Sequence, residues 1–290
     1  MTSAISTQAD SSIGLRYNNS GIVFGNAPYT NGLRINFSDY NVQSVNGVNI
    51  TLWKPISIND KNDNFFQMNG FFLGLLAPAA ENINGLAIGG LGVAVDRMNG
   101  VAIAGLGGGM DKLHGVGIAG LGFGADEIKG LVIAGLGAGA DRMTGIGIAG
   151  LGFGGDRLKG IFIAGLGAGA DRMSGIGIAG LGFGGEKLNG LFIAGLGIGA
   201  EELHGLAIAG GFIGGEEIND VSIAGLRIKG DILKGVKISA YNHARDKQIG
   251  LSIGLLNYAR ELHGLQIGLL NIAKNNKGIF KYLPIINWHK

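Results

Sequence analysis

The chain has 290 residues, a formal charge of +2, no cysteine, and 58 glycines against four prolines. Glycine at a fifth of all residues without a triplet period excludes collagen, and regularly placed Ile and Leu exclude a disordered glycine-rich linker. Acids and bases are interleaved with no Lys/Arg cluster, which excludes a nucleic-acid footprint, and the lack of cysteine excludes a disulfide framework or thiolate metal site.

Residues 1–20 are Ser/Thr-rich and aperiodic and are expected to form a flexible tail. The start shows neither a basic n-region nor an apolar h-region, so no signal peptide is visible. Residues 21–69 hold short β-type runs at 21–24, 33–37 and 48–53, separated by Asn-Ala-Pro, Thr-Asn-Gly and Val-Asn-Gly turn signals. This block reads as an N-terminal β cap, with a polar loop at 60–64 before the array.

From 70 to 277 a glycine returns every fifteen residues, as at Gly100, Gly115, Gly130 and Gly145, with Asp220 taking one turn and a one-residue slip before Gly264. The repeated unit is G-φ-x-I-A-G-L-G-x-G-x-[DE]-x-φ-x, numbered here 1 to 15 from its first glycine. A fixed short period means one small unit copied and stacked. Glycine at four or five of fifteen positions would cost a helix roughly 1 kcal/mol each, whereas alternating β-branched residues favour strands. Charge-free apolar runs stop at an Asp or Glu well short of a membrane helix. Residues 278–290, with Pro284 and Trp288, read as a closing C-terminal cap.

Two all-β architectures fit the period: a solenoid with about fifteen residues per coil, and an antiparallel barrel of the outer-membrane type with one strand and turn per repeat. Bulk trades between positions 3 and 9, as in Gly147 with Phe153 followed by Phe162 with Ala168, and either architecture accommodates that. Uniform turn chemistry favours the solenoid, because a barrel has two different ends. A barrel lumen lined by Ile and Gly would be neither filled nor polar. At position 3 the late repeats carry Ser222, Lys237, Ser252 and Gln266, which places that position outside and makes positions 2, 4, 7 and 14 the inner ladders. The solenoid with capped ends is the preferred reading and the barrel its alternative.

The late repeats GLSIGLLNYARELHG (250–264) and GLQIGLLNIAKNNKG (264–278) resemble a family of bacterial surface repeat-containing proteins whose unit reads G-φ-Q-I-G-L-φ-N-φ-A, and the ending KYLPIINWHK resembles the aromatic endings of that group. The central repeats depart from it, with A-G-L-G-x-G in place of G-L-φ-N-φ-A. The resemblance implies an extracellular or cell-surface location and no chemistry.

Position 12 forms an acidic column from Asp96 to Glu216, continued by Asp231. Stacked carboxylates suit a hard cation, but basic neighbours at position 13, such as Arg97, Lys112 and Arg142, balance the column. The calcium-solenoid nonapeptide is missing, so no metal is expected. The glycine runs recur in every repeat without a following helix or a Gly-Lys-Ser/Thr sequence, so no nucleotide cofactor is expected either. His114, His204 and His263 share polar position 15 and read as surface residues. No Ser/His/Asp or paired-carboxylate constellation stands apart from the repeat, which reads as non-enzymatic.

The candidate interaction face is a flat Gly/Ala strip formed by Ala104, Ala119, Ala134, Ala149, Ala164, Ala179, Ala194 and Ala209 at position 5, with Phe162 and Phe192 intruding from position 3. Such a strip exceeds what monomers usually expose. The expectation is a structural, adhesive or self-assembling surface protein, associating as a dimer or filament or with another surface component. The alternative is an outer-membrane barrel in contact with lipid, and a lesser one a solenoid binding ice or an apolar polymer.

Overall fold

A computed structural model describes residues 12–39, 42–53 and 67–290; the start of the expected tail and the 60–64 loop lie outside the described residues. The chain forms two compact units, Met1–Ala140 and Asp141–Lys290.

In the first unit, Ser12–Tyr17 folds back antiparallel on Ser20–Gly25 through Asn18 and Asn19, which have φ of 47° and 63°. Asparagine tolerates this left-handed turn. The expected tail is therefore a strand from Ser12 onward. Ser20–Gly25, Tyr29–Asn36, Ser44–Thr51, Gln67–Gly74 and Ala79–Gly89 then pair parallel in succession, followed by Gly92–Ala104, Gly107–Ala119 and Gly122–Ala134. The glycine column thus begins at Gly21, and 20–51 are coils of the stack where a separate cap was expected. Uneven spacing between Gly21, Gly32, Gly47 and Gly70 conceals this in the sequence.

In the second unit Gly152–Ala164, Gly167–Ala179, Gly182–Ala194 and Gly197–Ala209 pair in the same parallel register. The next coil is split into Phe212–Ile218 and Val221–Ala224. Arg227–Ile238, Tyr241–Ile253 and Leu256–Ala273 continue the stack. After a short 3-10 turn at Gly278–Lys281, Tyr282–His289 pairs antiparallel with the last coil.

Parallel neighbours fifteen residues apart make a β-solenoid. They overturn the barrel alternative, since membrane barrels close through antiparallel neighbours.

Position 1 explains the period. At Gly175 φ is +124° and an added Cβ would lie 2.1 Å from the carbonyl oxygen of Gly160 in the coil before. Each coil turns a corner here while its backbone touches the backbone below. Asp220, the exception, takes φ 61°, and its Oδ2 accepts a hydrogen bond from the Gly205 N–H at 2.9 Å.

The interior keeps one expected ladder, position 14, and reverses the others. Positions 3, 5, 9, 11 and 14 point inward, as Phe162, Ala164, Ala168, Ala170 and Met173 show. The aliphatic residues at 2, 4 and 7 point outward, with Ile161, Ile163 and Leu166 at 37%, 39% and 47% exposure. A strand's side chains alternate, so one misplaced position inverts the whole set. Room decides the direction. Built on Gly147, a Cβ would meet the Phe153 ring at 2.4 Å, so this narrow coil holds one ring and the Leu158 side chain of position 14, with small residues at its other inward positions. The rings interlock, with Phe153–Phe162 and Phe183–Phe192 edge to face at 5.7 and 5.4 Å.

Near the ends the core is polar. Arg34, fully buried, donates to Asp39 at 2.6 Å, Asn26 at 2.6 Å and Asn49 at 3.3 Å. In the late coils Asn242, Asn257 and Asn271 form a buried amide ladder with 2.8 Å bonds. Ser222, Lys237, Ser252 and Gln266 are likewise buried, correcting their expected outward placement.

Candidate functional site

The expected Gly/Ala strip is not on the surface. Ala104, Ala119, Ala134, Ala149, Ala164, Ala179, Ala194 and Ala209 are 3–5% exposed, and Phe162 and Phe192 are fully buried. These ten residues are core, for the reason of room just given.

The surface that replaces it lies one residue away on either side. In the second unit, positions 2 and 4 form two aliphatic rows from Ile161 and Ile163 to Leu265 and Ile267. The antiparallel end strand extends both rows, because Trp288 pairs with Leu265 and Ile286 with Ile267. Trp288 is 66% exposed. Leu166, Leu181 and Leu196 at the neighbouring turn widen this face.

The charged corner at positions 12 and 13 lies elsewhere on each coil. Burial and the stacked Asp111 push the Asp96 carboxyl above its ordinary value, with Arg97 opposing them. Lys187 pairs with Glu202 of the next coil at 2.7 Å. Among the described residues, no three His, Asp or Glu side chains are grouped to hold a metal ion. At position 15, Asn31, Asn46, Asn69, Asn84 and Asn99 form an exposed amide ladder with bonds of 2.7–2.9 Å. His204 accepts from Asn219 Nδ2 at 3.0 Å in the same column of the second unit.

The remaining side changes character along the chain. At positions 8 and 10 the middle coils carry only glycine, and a Cβ on Gly154, Gly184 or Gly199 would meet nothing within 4 Å. In the late coils position 8 becomes Phe212, Arg227 and Tyr241, and position 10 becomes Lys229, His243 and Tyr258. The Arg227 guanidinium lies 5.0 Å over the Tyr241 ring and donates to His243 Nδ1 at 3.0 Å. The Tyr241 hydroxyl reaches the same nitrogen at 3.1 Å. His243 stacks on Tyr241 at 5.4 Å and meets Tyr258 edge to face at 4.8 Å. Burial, then the charges of Arg227, Lys229 and Arg245, hold the imidazole below its ordinary range, so it is a neutral acceptor at pH 7. This cluster was missed in the sequence, where its signal was the loss of glycine at two columns at once.

Lys237 is the one buried amine of the late core among the described residues. Its Nζ donates to the carbonyls of Lys234 at 2.6 Å and Asp220 at 3.0 Å, and burial lowers its pKa to about 8 against the opposing pull of Asp220. Ser222 and Ser252 flank it in the column, with hydroxyls that have no hydrogen-bond partner, and none of the three reaches the surface. Between about 8 and the ordinary 10.5 the unfolded chain holds this proton and the folded chain does not. Stability therefore rises with pH across that window, by up to about 3 kcal/mol, and the penalty is complete below it. Lys237→Met should remove that rise and stabilise the protein by about 1–3 kcal/mol at pH 7, as read by urea melts at pH 7 and 10.

No family model matches this chain, and no curated protein or solved structure matches it in comparison.

Proposed function

We propose that the protein is a non-enzymatic bacterial surface repeat protein with a structural or adhesive role, which assembles by packing its aliphatic face against a second copy. The observation that carries this is the pair of exposed rows at positions 2 and 4, bordered by the position-7 leucines. Aliphatic side chains held outward on a flat sheet are what a partner sheet buries. At about 4.8 Å per coil and 3.4 Å per residue, the coils from Gly160 to Gly264 offer about 650 Å². A pair would bury about 1,300 Å², the size of a stable specific interface. The surface location is supported by the resemblance of the 250–278 repeats to bacterial surface repeats.

Light scattering on sized protein tests the reading. The parent chain should be dimeric or larger at about 100 µM, and Ile163→Lys with Ile178→Lys should make it monomeric with an unchanged circular dichroism spectrum. A monomeric parent chain at that concentration would refute it.

A further inference from the structure

The late coils abandon the bare glycine floor and build something in its place. Columns 8 and 10 bring Phe212, Arg227, Tyr241, Lys229, His243 and Tyr258 onto one flat side, two residues apart along the strand and one coil apart across it. Side-chain packing alone would not require cations here. Apart from the buried Lys237, which is held by backbone carbonyls, the other cations of these coils have acidic partners: Lys234 with Glu217, Arg245 with Asp231, Arg260 with Asp246, and Lys247 with Glu261. Among the described residues, neither Arg227 nor Lys229 has a carboxylate in reach, and the Arg227 Nε–H is buried without an acceptor. The guanidinium is oriented by the Tyr241 ring beneath it and by His243, with its charge uncompensated.

We propose that Arg227, Lys229, Tyr241, His243 and Tyr258 form a binding platform for an acidic polysaccharide, a chain of uronate sugars lying across the coils. Each part of that ligand has a counterpart. A guanidinium offers a carboxylate a forked, charge-assisted pair, and the lysine offers a second point charge. Flat aromatic rings cover the apolar face of a pyranose while its hydroxyls stay wet. Arg227 and His243 cover the Tyr241 ring, so Phe212 and Tyr258, three coils apart at about 14 Å, are the rings left to meet sugar. Bare glycine in the preceding coils lets a polymer run on without collision. Duplex DNA offers the two cations closely spaced phosphates but no exposed pyranose face for the rings to cover, so it lacks one half of the match.

The platform lies on a different side of the coil from the aliphatic rows, so it is tested in the Ile163→Lys/Ile178→Lys chain, independent of self-association. Calorimetric titration with polygalacturonate at about 150 mM salt should show saturable binding, at least roughly tenfold tighter than with neutral dextran or duplex DNA. Arg227→Gln with Lys229→Gln should weaken it roughly tenfold or more. Tyr258→Leu, which leaves the charge unchanged, should weaken it severalfold, and thermal melts of each variant confirm folding. No binding of polygalacturonate, equal binding of duplex DNA, or full binding by Tyr258→Leu would each overturn the proposal. Should the Arg227 variant fail to fold, Lys229→Gln and Tyr258→Leu make the same distinction.

Discussion

Gly175→Ala should lower the apparent melting temperature by about 10 °C or more, whereas Gly184→Ala, nine residues on, should leave it level or slightly raised. Gly175 sits at φ +124°, and its new methyl would fall 2.1 Å from the Gly160 carbonyl oxygen. Backbone strain at such an angle costs about 1–3 kcal/mol before the clash is counted. The obstructing atom is backbone already bonded in the ladder, so relief means displacing one coil from the next, and the total should exceed about 4 kcal/mol. Gly184 has no left-handed angle and nothing within 4 Å of its added Cβ. Alanine there restricts the unfolded chain and should be neutral or stabilising by about 0.5–1 kcal/mol. Thermal melts of the two variants side by side check both signs, and equal losses would refute the account of the period.

Phe162→Ala should destabilise the second unit by about 3–5 kcal/mol, because it removes the one ring of a coil interior in which only Met173 is otherwise large. Phe162 is fully buried and meets the Phe153 ring edge to face at 5.7 Å, a contact worth about a further 0.5–1.5 kcal/mol. Its coil-mate Ala168 cannot grow to compensate. Ala168 stands in its column between Phe153 and Phe183, so Ala168→Phe would force three rings into consecutive coils. The double variant Phe162→Ala/Ala168→Phe should therefore be no more stable than Phe162→Ala. Denaturant melts followed by amide hydrogen exchange measure both, since stacked repeats open locally. Recovery of the parent stability by the double variant would show that the coil interior is more accommodating than its geometry implies.

The period, the strand assignment and the stacking were legible because all three follow from a glycine returning at fixed intervals among β-branched residues. Side-chain direction was not legible. Ser222, Lys237, Ser252 and Gln266 suggested solvent at position 3, yet they are buried in a polar stretch of core, where Lys237 donates to backbone carbonyls and Gln266 to Gln248. That choice turned Ala164 and its column outward and Ile163 inward, opposite to what the coil's narrow interior allows. The first coils were hidden by loops of unequal length, although Gly32, Gly47 and Gly70 pair in one column. The Arg227–Tyr258 cluster was overlooked because it departs from the repeat, and departures attract little notice among copies.

The antiparallel strands at Ser12–Tyr17 and Tyr282–His289 have a consequence for growth. A stack of like-directed strands would otherwise present, at each extremity, a template on which another chain could nucleate by continuing the same polarity. Reversing the strand there breaks that template, since a newcomer of the stack's own polarity would run antiparallel to it and could not continue the parallel register. Lengthening of either unit's ladder by a further strand of its own polarity is thereby disfavoured, which leaves the flanks as the surfaces open to another copy.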